Sequence, residues 1–108
     1  MEFVETSVFT RQITSMLSDE EYRRFQAALA VNPSMGPLIR GGGGIRKVRV
    51  AMQKRGKRGG ARVIYYLAVR KNLILLLYAY PKNVAETLTT KQTEELARAV
   101  KGEFGYES

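Results

Sequence analysis

The sequence predicts an α+β domain with the element order β-α-α-β-β-β-α, an antiparallel sheet and helices packed on one of its faces. Three observations carry this. Residues 18–31 open with a helix-capping signature and continue as an amphipathic helix. Two segments, Ile45–Ala51 and Ala61–Val69, alternate at the period of a strand. Leu73–Tyr80 is an almost unbroken apolar run, as expected at the centre of a sheet. With 108 residues, no repeat and no break in composition, a single domain over residues 1–108 accounts for the chain.

Each element has a local reason. Glu2–Thr6 reads as a short first strand built on Phe3 and Val4. Ser7–Leu17 places Val8, Phe9, Ile13, Met16 and Leu17 near one helical stripe. Ser18-Asp19-Glu20-Glu21 then forms a capping box, with acids in the first turn complementing the helix dipole. The second helix spans Asp19–Val31, with Tyr22, Phe25, Ala28 and Leu29 inward, and Asn32-Pro33 stops it. Ser34–Gly44 is a loop whose four glycines, 41–44, read as a flexible lead-in to the next strand.

Within that strand Val48 and Val50 face one side, and Lys47, Arg49 and Ala51 the other. Gln53–Gly60 is a basic, glycine-rich connection. In Ala61–Val69 the residues Val63, Tyr65, Leu67 and Val69 share one face, with Arg62, Ile64 and Tyr66 opposite. Arg70-Lys71-Asn72 turns the chain into Leu73–Tyr80, and Pro81-Lys82-Asn83 ends that strand. Thr89-x-x-Gln92 is a second capping box, opening a helix to about Lys101 with Leu96, Ala97 and Val100 inward; residues 102–108 fray.

Charge is the functional signal. Between Glu21 and Glu86 there is no acidic residue, while residues 22–85 hold fourteen Lys or Arg; the rest of the chain holds four basic residues and ten acids. Stability needs no such segregation, and ordinary surfaces intersperse both signs. The net charge of +8 favours a polyanionic partner. There is no basic-then-apolar leader at the N-terminus, and the longest apolar run falls far short of the ~20 residues that span a bilayer, so a cytoplasmic protein with no membrane partner is expected.

His and Cys are absent and Asp19 is the only Asp. A zinc site, a Ser-His-Asp triad and a Cys-His pair are thereby excluded within one chain, and neither a metal nor another cofactor is expected. The glycine-rich stretch also lacks the G-x-x-x-x-G-K-[ST] pattern of a nucleotide loop.

If the helices cover one face, Lys47, Arg49 and Arg62 share the other. Arginine offers a planar fork for phosphate, lysine a point charge, and Tyr66 or Tyr80 a stacking platform for a base. Arg46, Lys54, Arg55, Lys57 and Arg58 add a basic grip around them. A sheet lined in this way suits single-stranded RNA better than duplex DNA. RNA can be cut by its own 2′-hydroxyl attacking the adjacent phosphate. Arg49 and Arg62 would stabilise the charged phosphorane. A lysine crowded by other cations gives up its proton more readily, which makes Lys47 and Lys82 the candidates for proton transfer. Glu86, the nearest carboxylate, reads as a helix-start charge. A non-catalytic basic RNA-binding module remains an alternative at this point.

The combination of GGIRKVRV, GKRGGARVIYY, an apolar strand ending in YPKN and a Thr-rich start to a Gln/Glu-Leu helix resembles the RelE/HigB family of type II toxin–antitoxin toxins. The likeness runs from about Phe3 to Val100 and is greatest to the HigB-like branch, which shares the SDEEYRRFQ segment and the NP turn. It implies a compact RelE-like fold and metal-independent, ribosome-dependent cleavage of mRNA. It further implies a cognate antitoxin, a helix-turn-helix DNA-binding protein, through which the complex meets operator DNA. In the resemblance, Lys47 and Arg49 match two active-site basic residues spaced by one on a strand. Arg62 matches an arginine opening the next strand, and Lys82 approximately matches a basic residue after the last one. Two departures stand out: Arg49 replaces a lysine of RelE, and the vicinity of Thr89 replaces its C-terminal tyrosine. ParE-like toxins share this fold and inhibit gyrase without cutting RNA; the spaced basic strand and Arg62 favour the RNase reading over that alternative.

Overall fold

In the computed structural model, residues 1–52, 60–82 and 88–104 are described. The elements are β1 (Glu2–Glu5), α1 (Ser7–Met16), α2 (Asp19–Val31), β2 (Ile45–Val50), β3 (Ala61–Ala68), β4 (Leu73–Pro81) and α3 (Thr90–Phe104). Class and order agree with the sequence reading. The sheet runs β1-β4-β3-β2, so the apolar β4 lies inside it.

Two parts of the expected architecture differ. β1 pairs with β4 in parallel, Glu2 opposite Leu73 and Glu5 opposite Leu76, while the other two pairings are antiparallel. Parallel neighbours need a crossover, and the chain from α1 through β3 supplies it. The helices also occupy both faces. Phe9, Ile13, Phe25 and Leu29 of α1 and α2 pack on Val48, Val63, Tyr65, Ile74 and Leu76. On the other face Leu96 and Val100 of α3, with Leu88 before it, pack on Ile45, Ile64, Tyr66, Leu75 and Leu77. A strand apolar on both sides must be covered on both sides, and β4 is such a strand.

β4 also carries an irregularity. Ile64 pairs with Tyr78 and Tyr65 with Leu76, so Leu77 is one residue more than the ladder needs. A bulge of this kind shifts every later side chain to the opposite face. Leu77, Tyr78 and Tyr80 accordingly all belong to the α3 side, and Ala79 to the other. The Ala79 N–H is capped by Oε1 of Gln12 from α1 at 2.7 Å.

The helix starts are as the sequence predicts. Ser18 and Glu21 form the capping box of α2, and Thr89 Oγ1 accepts from Gln92 N while Gln92 Oε1 accepts from Thr89 N. α3 runs on to Phe104, past the expected fraying point at residue 102; residues 105–108 lie outside the described set. Ala28 is exposed, because the buried stripe of α2 narrows to Phe25 and Leu29. Val69 is exposed as well, since β3 ends at Ala68 and a short 3-10 turn, Val69–Lys71, follows.

The glycine loop forms a turn that leads into β2. Gly41, Gly43 and Gly44 all hold positive φ, a conformation that favours glycine. The preceding segment is fastened to β2: Ile39 N–H donates to Ile45 O, and Lys47 N–H to Pro37 O. Gly36 lies so close to β2 that a Cβ there would stand 2.7 Å from Lys47 O. Buried Tyr65 ties the same corner, its hydroxyl donating to Pro33 O at 2.7 Å and accepting from Gly36 N at 3.0 Å.

Candidate nucleic-acid interface

β2 and β3 set the geometry of the cationic residues. Arg49 lies directly opposite Arg62, and Lys47 opposite Ile64. Arg62 in turn lies opposite Tyr80 of β4. Strand alternation places Lys47, Arg49 and Arg62 on the face that α3 also covers, and the Leu77 bulge brings Tyr80 to it. Arg49 is exposed and Lys47 half-buried, whereas Arg62 is only 6 % exposed. Lys82 follows β4 directly and is half-buried, its N–H donating to Gly60 O at the foot of β3. The expected face is therefore real but partly roofed, with the three β2–β3 cations together at one end.

Side chains directly opposite one another across two strands lie about 4.5–5.5 Å apart at Cβ, and like charges so placed destabilise the pair. Arg49 and Arg62 thus start from directly opposite positions on neighbouring strands, the first exposed and the second buried, and guanidinium groups are well suited to bind anions. A single phosphate is the anion whose oxygens suit two forks at once.

The remaining basic and aromatic candidates fall elsewhere. Arg46 projects to the opposite face, where its guanidinium donates to Gly36 O at 2.8 Å and Ser34 O at 3.3 Å; it holds the 34–36 loop. Tyr66 and Tyr80, expected to be stacking platforms, are 6 % and 5 % exposed within the cluster beneath α3. Neither ring presents an open face, because α3 covers the side of the sheet expected to be bare. Lys54, Arg55, Lys57, Arg58 and Glu86 lie outside the described residues. So does Tyr106, a tyrosine near the C-terminus. Among the described residues, no three His, Cys, Asp or Glu side chains gather into a metal-binding group. Nor is any helix there long and apolar enough to cross a membrane.

The sequence gives no warning of two supports of this end of the sheet. Gly60 has φ +66, and a Cβ there would meet Val50 O at 2.3 Å, so only glycine brings β3 so close against β2 beside the Arg49–Arg62 pair. Gln12 stands within α1 as an ordinary polar residue, yet it caps the bulged strand that carries Tyr80.

The family described as the RelE toxin of the RelE / RelB toxin-antitoxin system matches residues 5–107. The chain belongs to the RelE toxin family. Its fold is similar to that of a double arginine-to-alanine mutant of the E. coli toxin RelE in the free state, with a TM-score of 0.54. That match covers 91 % of this chain and 94 % of the other at 12 % identity, a likeness of fold. This RelE-family toxin thus carries its strand-borne cations on a scaffold shared with a protein of very different sequence.

Proposed function

We propose that the chain is the toxin of a type II toxin–antitoxin pair and acts in the cytoplasm as a metal-independent, ribosome-dependent endoribonuclease that cuts mRNA. The observation that carries this reading is the Arg49–Arg62 pair, two like charges set directly opposite across β2 and β3, a placement that a fold gains no stability from. The scissile phosphate is seated between the two guanidinium groups. The 2′-oxygen attacks phosphorus, a pentacoordinate phosphorane forms, and the 5′-oxygen of the next nucleotide leaves, giving a 2′,3′-cyclic phosphate and a free 5′-hydroxyl. Arg49 and Arg62 stabilise the phosphorane charge. Lys47, on the same face, and Lys82, after β4, take the 2′ proton and supply one to the leaving oxygen. Lysine and arginine alone make weak proton-transfer catalysts, so the ribosome supplies the alignment of the substrate.

An antitoxin that carries a helix-turn-helix domain and an acidic segment would neutralise the basic stretch and take the complex to operator DNA. The enzymatic reading is tested by primer extension on mRNA from a translating extract, with the wild-type chain and with Arg62→Ala. Cleavage by the wild type alone, slow on naked RNA, is the expected result. Intact message together with inhibited gyrase supercoiling overturns it in favour of the ParE-like alternative.

A further inference from the structure

A cleft of about 500 Å³ opens beside the cationic cluster, between the 37–41 segment and the first turns of α3. Lys47 is its link to the cluster, because it lines the cleft and stands two residues along β2 from Arg49. That step is about 6.6 Å, comparable to one nucleotide of an extended single strand. Leu38, Ile39 and Leu88 give the cleft apolar walls. Arg40 adds a second cation, and Glu94 is the single acid in the lining. Thr93, which is buried, also lines this cleft.

We propose that this cleft reads the base next to the scissile phosphate, that it takes guanine, and that Glu94 is the specificity-determining residue; this rests on the RNase reading above. An extended strand whose phosphate sits on Arg49 and Arg62 passes its next nucleotide over Lys47 into the cleft. Apolar walls accept the faces of a base. A carboxylate is purely an acceptor, with two oxygens side by side. Guanine alone among the four bases presents two adjacent donors, N1–H and the 2-amino group, on its Watson–Crick edge. Adenine and cytosine set a ring acceptor beside their amino group, and uracil sets carbonyls on both sides of N3–H, so each meets the carboxylate with a repulsive contact. Unpaired RNA bases are read on this edge. The Thr93 hydroxyl lies one residue from Glu94 and can both donate and accept at the same edge.

The test is calorimetric titration of the full chain with each of the four ribonucleoside 5′-monophosphates. GMP is expected to bind about tenfold more tightly than AMP, CMP or UMP, since a two-point pair is worth discrimination of that order. Glu94→Gln and Glu94→Ala are expected to bring GMP to within about twofold of the others and to leave the melting temperature unchanged, because Glu94 is exposed. Glu94→Ala is included because a glutamine amide can hydrogen-bond a base itself. Equal affinity for all four nucleotides, or a GMP preference that survives in Glu94→Ala, overturns the proposal. Mapping of cut sites separates it from the reading beneath it. GMP selectivity without mRNA cleavage leaves the subsite standing and removes the RNase. Cleavage with the same base bias in wild type and Glu94→Ala does the reverse.

Discussion

Arg49 and Arg62 face each other across the β2–β3 ladder, the first exposed and the second buried. Replacing the exposed partner by glutamine relieves the repulsion. Arg49→Gln is expected to raise the unfolding free energy by about 0.2–1 kcal/mol in urea titrations at low salt. The gain shrinks as salt screens the wild-type pair. In the same protein mRNA cleavage falls by about 10²-fold or more, the usual loss when one preorganised donor is removed from a developing charge. A variant both less stable and fully active would contradict the assignment.

Tyr65 is a wholly buried residue whose hydroxyl makes two hydrogen bonds to the 33–36 corner. Tyr65→Phe leaves the Pro33 carbonyl and the Gly36 N–H short of a partner. The expected loss is about 1–3 kcal/mol, read as a fall in melting temperature of several degrees. Because Gly36 abuts the backbone of Lys47, cleavage should weaken along with stability.

At Gly60 both space and backbone conformation forbid a side chain. Gly60→Ala is expected to cost about 1–3 kcal/mol through the contact with Val50 O and the positive φ. Gly102, where a Cβ meets nothing, is the control. Gly102→Ala lies within α3 and is expected to stabilise by about 0.5–1 kcal/mol. Parallel thermal melts of the two variants decide the point.

Alkaline pH should destabilise the chain. Burial and then the hydrogen bond and charge of Glu5 push the Tyr22 hydroxyl far up from its ordinary value of 10.0. Burial likewise raises Tyr65. A raised folded-state pKa means that the unfolded chain loses its proton first. The contribution is therefore complete below about pH 10 and is lost as pH climbs above it. Urea midpoints followed from pH 8 to 11 should fall over the upper part of that range, and Tyr22→Phe should flatten the fall.

Much of this molecule is legible in the chain because its signals are local. Ser18 and Glu21 announce α2 by themselves, and the alternation of Ile45–Val50 puts Lys47 and Arg49 on one face with no knowledge of the rest. What escapes is decided at a distance. Strict alternation from Leu76 would send Tyr80 to the α1 side; the unpaired Leu77 reverses it, and no residue type marks a bulge. The two-sided hydrophobicity of Leu73–Leu77 requires two covers, yet says nothing of which helix supplies the second. For that reason the sequence alone presents Tyr66 and Tyr80 as open platforms. Arg46 differs from its neighbours only in pointing to the side where Ser34 and Gly36 offer carbonyls.

The first strand is joined to the fourth, with Thr6 Oγ1 donating to Leu77 O across 71 residues. During synthesis at ~5–20 residues per second, β1 and both early helices wait some seconds for the strand they pack on. Long-range pairings of this sort also slow folding once the chain is complete. Arg49 and Arg62 belong to the local β2–β3 hairpin, but the strand that sets Tyr80 opposite Arg62 and the helix that roofs their face are made last. The surface proposed to meet RNA is therefore finished only when nearly the whole chain has left the ribosome.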